Sequence, residues 1–279
     1  MSLVVNTNIN SSIVQRSLTK ATTEIGKAIE RMSTGYKINK AADDAAGLTI
    51  SEGLTAQSRG AVQAMNNAQT GVNLLQTAEA DLTVIQDNLQ RIRDLSVQAA
   101  NGTNGTAERA AIQSEVNARV SEINRIAKSS SFNNIKLLNG ENTSLTLQIG
   151  ANATASLNSL QIGTPLASST ATSLGLTSLA TAFNTGAAAA SFISEIDTAV
   201  ALVSQRRSEI GSLQNRLDSA IESLSVKAEN INSAASRIKD ANIAEVSAQF
   251  AKSQILQQAS ASLLAQANQT PSIALKLVG

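Results

Sequence analysis

The chain lacks cysteine, histidine and tryptophan, and its 279 residues include one tyrosine, four phenylalanines and two prolines. Without histidine or cysteine it cannot form a Ser-His or Cys-His nucleophile pair, a thiolate or an imidazole metal site. No disulfide can form, so cysteine usage carries no information about the redox compartment. These absences predict a protein without a metal site or cofactor and argue against an enzyme. The core must be aliphatic, which suits packed helices.

Charge and hydropathy narrow the possible partners. The formal net charge is +1, which argues against a nucleic-acid partner. Residues 1–8 contain neither a basic region nor an apolar core, so we expect no Sec-type signal peptide. No run of about 18 apolar residues occurs, so we expect no membrane span.

A heptad row of branched aliphatic residues dominates the second half of the chain. Its members, which we call the ladder, are Ile196, Val203, Ile210, Leu217, Leu224, Ile231 and Ile238. The row predicts a helix over 191–239, about 70 Å long at ~1.5 Å per residue, with an equally long partner. A companion row three residues earlier includes Arg207 and Gln214. We expect both to reach polar atoms of the partner helices or water, since an unpaired buried arginine is costly.

Helical spacing of apolar residues predicts four further helices. They cover residues 1–34, a long segment after Asp43 and Asp44, residues 110–126, and residues 242–270. Gly35 and Pro271 are the expected stops of the first and last of these helices. Alternating apolar residues at 145–149 and 160–162 predict a hairpin near 143–163. The stripe from Met65 to Leu95, with the third helix, is the expected partner of the ladder.

Three other segments carry specific expectations. Asp43 and Asp44 are interpreted as N-caps of the second helix rather than as an acidic metal or acid–base pair. Glycines 47, 53, 60 and 71 lie within the same predicted helix, where they would permit close contact with a neighbour. Residues 142–194 contain no charged side chain and are expected to form a small surface loop region beyond the hairpin. The charge-poor helices at the two ends should pair and become ordered when other copies cover them.

Several runs resemble the signatures of bacterial flagellin. They are Met32–Ser51 (MSTGYKINKAADDAAGLTIS), Gln90–Asn101 (QRIRDLSVQAAN), residues 145–153, Ser236–Ala241 (SRIKDA), Gln254–Ala259 (QILQQA) and Leu264–Gln269 (LAQANQ). The resemblance covers about residues 1–163 and 191–279. Signatures at both ends, in the family's order, make it specific.

The resemblance implies a mainly α fold: an elongated antiparallel helical bundle or coiled coil with a small β-hairpin and paired N- and C-termini. It divides the chain into a terminal coiled-coil domain (1–42 plus 242–279), a rod-like helical domain (43–142 plus 191–241), and a hairpin with a short spacer (143–190). The spacer replaces the large outer domains of longer relatives. The ladder would form the core of the rod.

The resemblance also implies a function: a structural subunit of the hollow helical flagellar filament, which enables motility. Its partners would be other copies of itself, the flagellar type III export apparatus, an export chaperone, and the cap and hook-junction proteins. The subunit would leave the cell unfolded and add at the tip, giving an extracellular location. Ile243, Val246, Phe250 and Leu264 mark the expected polymerisation helix.

Other features leave alternatives open. Arg91, Leu95 and Glu115 match the epitope that the vertebrate Toll-like flagellin receptor reads; otherwise they are an exposed charge, a core-edge leucine and a solvated acid. The Asn-Gly-Thr triplets at 101–103 and 104–106 fit either glycosylation sequons or turns. Glycosylation of the Ser/Thr-rich spacer also stays open. Rival functions are a hook–filament junction protein and a secreted coiled-coil adhesin. A zinc protease insert would need histidines, which are absent.

Overall fold

The computed structural model describes residues 7–142, 144–152, 154 and 158–278, most of which lie in five α-helices. The helices are α1 (Ile9–Thr34), α2 (Ala45–Ala100), α3 (Thr106–Ser129), α4 (Gly186–Lys239) and α5 (Ile243–Val278). The predicted mainly α fold is confirmed. Residues 1–6 of the predicted first helix lie outside the described residues. Gly35 ends α1 as predicted, with a φ of 74° and its N–H bonded to the Arg31 carbonyl.

Two small antiparallel hairpins lie between α3 and α4. Strands β1 (Ser131–Phe132) and β2 (Ile135–Lys136) form the first, and β3 (Leu145–Gln148) and β4 (Ser159–Ile162) form the second. In the second hairpin Leu145 lies opposite Ile162, as the predicted hairpin requires. A short 3₁₀ helix (Thr164–Leu166) follows it.

The chain divides into two compact units. We call residues 1–56 and 230–279 the terminal unit and residues 57–229 the central unit, and both divisions fall within helices. The three-part division expected from the resemblance stays a prediction.

The ladder faces the core along most of α4. Ile196, Val203, Ile210 and Leu217 are fully buried, Leu224 and Ile231 are nearly so, and Ile238 is partly buried. In the central unit the first four share one apolar core with buried residues between Ala68 and Ala99 of α2 and from Ile112 to Ala127 of α3. The predicted partners are therefore confirmed for these four ladder residues.

The companion row beside the ladder differs from the predicted one. From Phe192 to Leu217 the buried positions lie four residues before the ladder, at Phe192, Ala199, Arg206 and Leu213, and those three residues before it are only partly buried. Near the end of α4 the predicted row holds at Ala228, which is buried three residues before Ile231. The shift arises because residues 164–185 pack on the Phe192 and Arg206 side of α4.

Arg207 and Gln214 meet polar atoms of α2, as predicted. The Arg207 Nη1 donates to Gln86 Oε1 at 2.7 Å, and its Nη2 lies 3.9 Å from Glu79 Oε1. The Gln214 Nε2 donates to the other Glu79 oxygen at 3.1 Å. Glu79 thus accepts a hydrogen bond from Gln214 and forms an ion pair with Arg207. Among the described residues, Arg207 Nε is nevertheless buried without a hydrogen-bond partner.

The uncharged segment after the hairpin is packed against the helices, which corrects the expected surface loop. Leu166, Leu174, Phe183 and four other apolar residues between 164 and 185 belong to the central core or lie against it. Phe183 meets Phe192 of α4 edge to face, with ring centroids 5.8 Å apart. Few large side chains suffice here because α2, α3 and α4 already supply an apolar surface.

Charged residues of α4 hold this segment through its backbone. The Arg206 Nη1 donates to the carbonyls of Ala167 (3.2 Å) and Ser168 (2.8 Å) and to Ser169 Oγ (2.7 Å). Burial lowers the pKa of the Arg206 guanidinium. We call this contact the Arg206 clasp. It uses charge-assisted bonds, which are stronger than neutral ones.

A second charged contact holds the same segment farther along. Both the N–H and the hydroxyl of Ser178 donate to the Glu195 carboxylate, as does the Thr177 N–H. Desolvation raises the pKa of Glu195, but these hydrogen bonds outweigh it, so the pKa is lowered overall. The segment contains no charged residue of its own. Helix α4 supplies the charged partners, Arg206 for residues 167–169 and Glu195 for residues 177–178.

Glycines of α2 let the second hairpin approach the helix closely. A Cβ at Gly71 would lie 2.3 Å from Leu147 Cδ1, and one at Gly60 would lie 2.8 Å from the Ala151 Cβ. Both were expected as contact points, and both are. Gly47 and Gly53 were also expected as contact points. A Cβ at Gly47 would lie 2.8 Å from Ile38 Cδ1, so Gly47 is one, whereas at Gly53 no described atom outside its own helix backbone lies within 4 Å, so that expectation is wrong.

Helices α1 and α5 pack antiparallel in the terminal unit. Gln257 of α5 donates to Thr22 of α1, and an isolated antiparallel bridge joins Tyr36 to Asp240. The positions buried between the helices are small: Ala21, Ala28, Ser253 and Ser260. Small residues allow the two backbones to approach, so the predicted pairing of the chain ends is confirmed.

Pro271 does not end α5, contrary to the expected stop. A proline within a helix leaves the carbonyl four residues earlier, here that of Ala267, without its usual donor. The Asn8 Nδ2 donates to this carbonyl at 2.8 Å, and the Asn8 Oδ1 accepts from the Ser11 N–H as the N-cap of α1. One side chain therefore caps α1 and satisfies the carbonyl that Pro271 frees in α5.

Candidate interaction surfaces

The terminal unit leaves large apolar side chains exposed on its helices. They are Ile9, Ile13, Ile29 and Met32 on α1, and Ile243, Ile255, Leu256 and Leu263 on α5. We call these eight residues the apolar surface of the terminal unit. Several exposed large apolar groups on two paired helices make these helices candidates for contact with another molecule.

The expected polymerisation helix presents two different faces. Val246, Phe250 and Leu264 are partly buried, and their spacing places them on the same side of α5 as the buried Ser253 and Ser260. That side packs on α1 of the same chain. Ile243 alone of the four expected residues belongs to the apolar surface.

Sequence reasoning missed Ile255, Leu256 and Leu263. These residues fall out of phase with the stripe at steps of three and four that identified the helix. The usable signal is that α5 carries apolar residues on both sides, which is typical of a helix covered all round. Within residues 243–269 only Glu245 and Lys252 are charged, so little solvates the outer side of this helix.

Asp43 and Asp44 have different roles at the start of α2. Asp44 Oδ1 accepts from the Gly47 N–H at 2.9 Å, which is the bond of an N-cap. Asp43 instead accepts from the backbone N–H groups of Lys40 and Asn39, which lower the pKa of Asp43. The expectation that both carboxylates cap the helix is corrected, because Asp43 closes the preceding turn.

Arg91 and Glu115 form an exposed ion pair between α2 and α3. The Arg91 Nε and Nη2 donate to the same Glu115 oxygen at 3.1 and 3.0 Å, and Arg119 Nη2 lies 4.0 Å from it. Leu95, four residues after Arg91, is only 2% exposed and belongs to the core. Of the three epitope-matched residues, two therefore present polar atoms to solvent.

The described residues contain no group of three or more acidic side chains that could hold a metal ion. By length and composition alone, α4 is apolar enough to cross a membrane. Its ladder packs against α2 and α3, as in the core helix of a bundle.

Comparison with known proteins gives one consistent family. Residues 5–143 match the model of the bacterial flagellin N-terminal helical region, and residues 193–278 match that of the C-terminal helical region. Flagellin FlaB1 of Treponema pallidum (strain Nichols) is 39% identical over 276 residues, covering 95% of this chain and 96% of the relative. A flagellin of Halalkalibacterium halodurans is also 39% identical, over 99% of this chain and all of the relative. The flagellar filament core protein flaB2 of Brachyspira hyodysenteriae matches at 39%, with the same coverages.

Proposed function

Because this chain belongs to the bacterial flagellin family, a family of structural filament proteins, we propose that its copies polymerise through the apolar surface of the terminal unit. The observation that supports this site is the exposure of large aliphatic residues on two paired helices, of which α5 carries little charge. Burial of each such side chain contributes roughly 1.5–3 kcal/mol. Repeated contacts of this kind would hold a long polymer that serves motility.

The test is polymerisation of the purified full chain, followed by electron microscopy. We expect long filaments from the parent chain and none after removal of residues 242–279, which deletes half of the apolar surface. The shortened chain should keep the helical signal of its central unit in circular dichroism. Failure of the parent to polymerise, or filaments from the shortened chain, would contradict the proposal.

The rival function is that of a hook–filament junction protein. A junction protein would form short assemblies, whereas a filament subunit extends without limit, so polymer length in the same micrographs separates the two. The near-complete alignment with a flagellar filament core protein supports the filament subunit. A secreted coiled-coil adhesin finds no support in these similarities.

The same identification supports a route out of the cell. The flagellar filament is an extracellular appendage, and the subunits would travel unfolded through the flagellar type III export apparatus. An export chaperone would cover the apolar surface before assembly, and cap and hook-junction proteins would meet the subunit at the filament ends. The absence of cysteine is compatible with such threading, since no disulfide can lock a folded segment. No enzymatic activity is proposed.

A host receptor is a further proposed partner. The support is the exposed Arg91–Glu115 pair, within a segment that matches the epitope of the Toll-like flagellin receptor. Leu95 would act only indirectly, by holding α2 in the core.

A cell reporter assay tests this partner. Arg91→Ala and Glu115→Ala should each reduce the response to the monomer. Arg125→Ala removes an equally exposed ion pair of α3, that with Glu122, and should leave the response unchanged. A silent parent chain, or an equal loss from Arg125→Ala, would rule out this surface.

A further inference from the structure

The chain contains three Asn-Gly pairs: Asn101-Gly102, Asn104-Gly105 and Asn139-Gly140. We propose that Asn101 is a site of spontaneous covalent modification, selected from the three by its surroundings in the fold. The product is an aspartate or isoaspartate at the turn between α2 and α3. No enzyme, metal or oxidant takes part, and water is the only co-reactant.

The reaction is an attack of a backbone amide on the preceding side chain. The Gly102 nitrogen forms a bond to Asn101 Cγ and loses its proton to a solvent base. The bond from Cγ to Nδ2 breaks, and Nδ2 leaves as ammonia after taking a proton from water. The resulting succinimide ring takes up one water at either carbonyl, giving aspartate or isoaspartate. Glycine favours the attack because no Cβ shields its nitrogen.

Among the described residues, one hydrogen bond holds the Asn101-Gly102 peptide: the Asn104 N–H donates to the Asn101 carbonyl at 3.1 Å within the exposed turn. Asn101, Gly102 and Thr103 are all exposed, and nothing lies within 4 Å of the Cβ position at Gly102. Among the residues that the structure describes, none accepts a hydrogen bond from the Gly102 N–H. The Thr103 N–H donates to Asn101 Oδ1 at 3.2 Å, so it would stabilise the negative charge that forms on this oxygen during attack.

Asn104 is held away from the same reaction. It is partly buried, and its Nδ2, the group that must leave, donates to the Gln98 carbonyl. The Arg109 guanidinium donates to the Asn104 carbonyl, and the Arg109 N–H donates to the Gly105 carbonyl at the N-cap of α3. Rotation of this peptide toward the side chain would break the bond to the Asn104 carbonyl, and departure of Nδ2 would break its bond to Gln98.

The side-chain oxygen of Asn139 accepts a backbone hydrogen bond, as that of Asn101 does, but the glycine that follows Asn139 is packed against another segment. The Glu141 N–H donates to Asn139 Oδ1 at 2.9 Å. Gly140, however, has a φ of 87°, and its Cβ position lies 3.0 Å from the Ser168 Cβ in the clasped segment. Ring closure here would displace packed backbone, whereas at Asn101 it moves only exposed residues.

Modification of Asn101 changes both charge and backbone. The new carboxylate lies just after the last turn of α2, where the helix dipole is already negative. An isoaspartate adds one backbone methylene and removes the turn that the side chain closes. The formal net charge falls from +1 to neutrality, so aged chains should separate as a more acidic species.

The experiment ages the purified full chain at mildly alkaline pH and maps its peptides by mass spectrometry. We expect a mass gain of about 1 Da at position 101 before positions 104 and 139, with fragmentation spectra separating 101 from 104. Gly102→Ala should slow the gain severalfold, whereas Gly105→Ala should leave it unchanged. The same chain unfolded in urea should lose the preference, because only the fold distinguishes the three pairs.

Three results would overturn the proposal. They are equal rates at the three asparagines in the folded chain, an unchanged rate in Gly102→Ala, and a preference for Asn101 that persists in urea. Circular dichroism of Gly102→Ala checks that α2 and α3 stay folded.

Discussion

Replacing Arg206 by alanine should lower the free energy of unfolding of the central unit by roughly 2–4 kcal/mol. The side chain is 8% exposed, and its guanidinium supplies hydrogen bonds to two carbonyls and a hydroxyl of residues 167–169. Alanine would leave these acceptors without their donor and open a cavity between α4 and residues 167–169. Urea denaturation followed by circular dichroism measures the loss.

The loss of stability should begin in residues 164–185, the segment that the Arg206 clasp holds. Hydrogen exchange of residues 164–185 should become faster than exchange of the ladder, because the segment has few other charged anchors. Arg216→Ala provides the matched control, since Arg216 is an exposed arginine of the same helix. That change should stay within about 0.5 kcal/mol of the parent. Equal losses from the two variants would show that the clasp contributes nothing specific.

The helices and the ladder could be predicted from the sequence because their signal is local and repeated. One face of a long helix returns at each turn, so a misplaced residue hardly disturbs the pattern. The hairpin was predictable for the same reason, through alternation at Leu145, Leu147 and Ile149. In each case the residues that carry the signal are close together in the chain.

The companion row failed because its correct choice depends on distant residues. In a helix, positions three and four before a ladder residue both lie beside it, and the sequence favours whichever looks more apolar. Arg206 looks like a surface residue until its partners at 167–169 are known. Those partners belong to an uncharged segment whose own pattern predicts a loop, so neither half of the clasp indicates the other.

Pro271 shows the same limit over a longer span. A proline after a helical pattern predicts an end, since the ring removes a hydrogen-bond donor. The carbonyl that it frees is satisfied by Asn8, 259 residues before Ala267 in the chain. Only the pairing of α1 with α5 brings the amide to that position.

The proposed interaction surface could be placed on its helix from the sequence, but its exposed residues could not be selected. The scarcity of charge predicted that α5 is covered by other helices. One side of α5 packs on α1, and the other side leaves large apolar residues exposed and available to another molecule. Apolar spacing selected Val246, Phe250 and Leu264, because a stripe is what periodicity finds. The stripe serves the pairing within one chain, so in the proposed assembly the contacts between chains use residues that periodicity leaves out.

A triple variant with Ile255→Ser, Leu256→Ser and Leu263→Ser should therefore fail to polymerise while the chain stays folded. These side chains are 66%, 48% and 56% exposed, so their loss removes little from the terminal unit itself. In the proposed polymer each of these side chains would be buried in every subunit. Its replacement would therefore remove roughly 1.5–3 kcal/mol of favourable burial free energy from each subunit. Light scattering and electron microscopy should detect no filaments, and circular dichroism should match the parent.

The matched control changes three exposed valines of the central unit, Val62, Val84 and Val226, to serine. It removes a similar amount of apolar surface elsewhere, so it should polymerise with at most a small increase in the critical concentration. Equal loss in both triple variants would mean that assembly depends on exposed apolar area in general. Polymerisation of the α5 variant at the parent's critical concentration would move the contact away from this side of α5. Among the described side chains after Ile243, no exposed large apolar group of α5 would remain to make it.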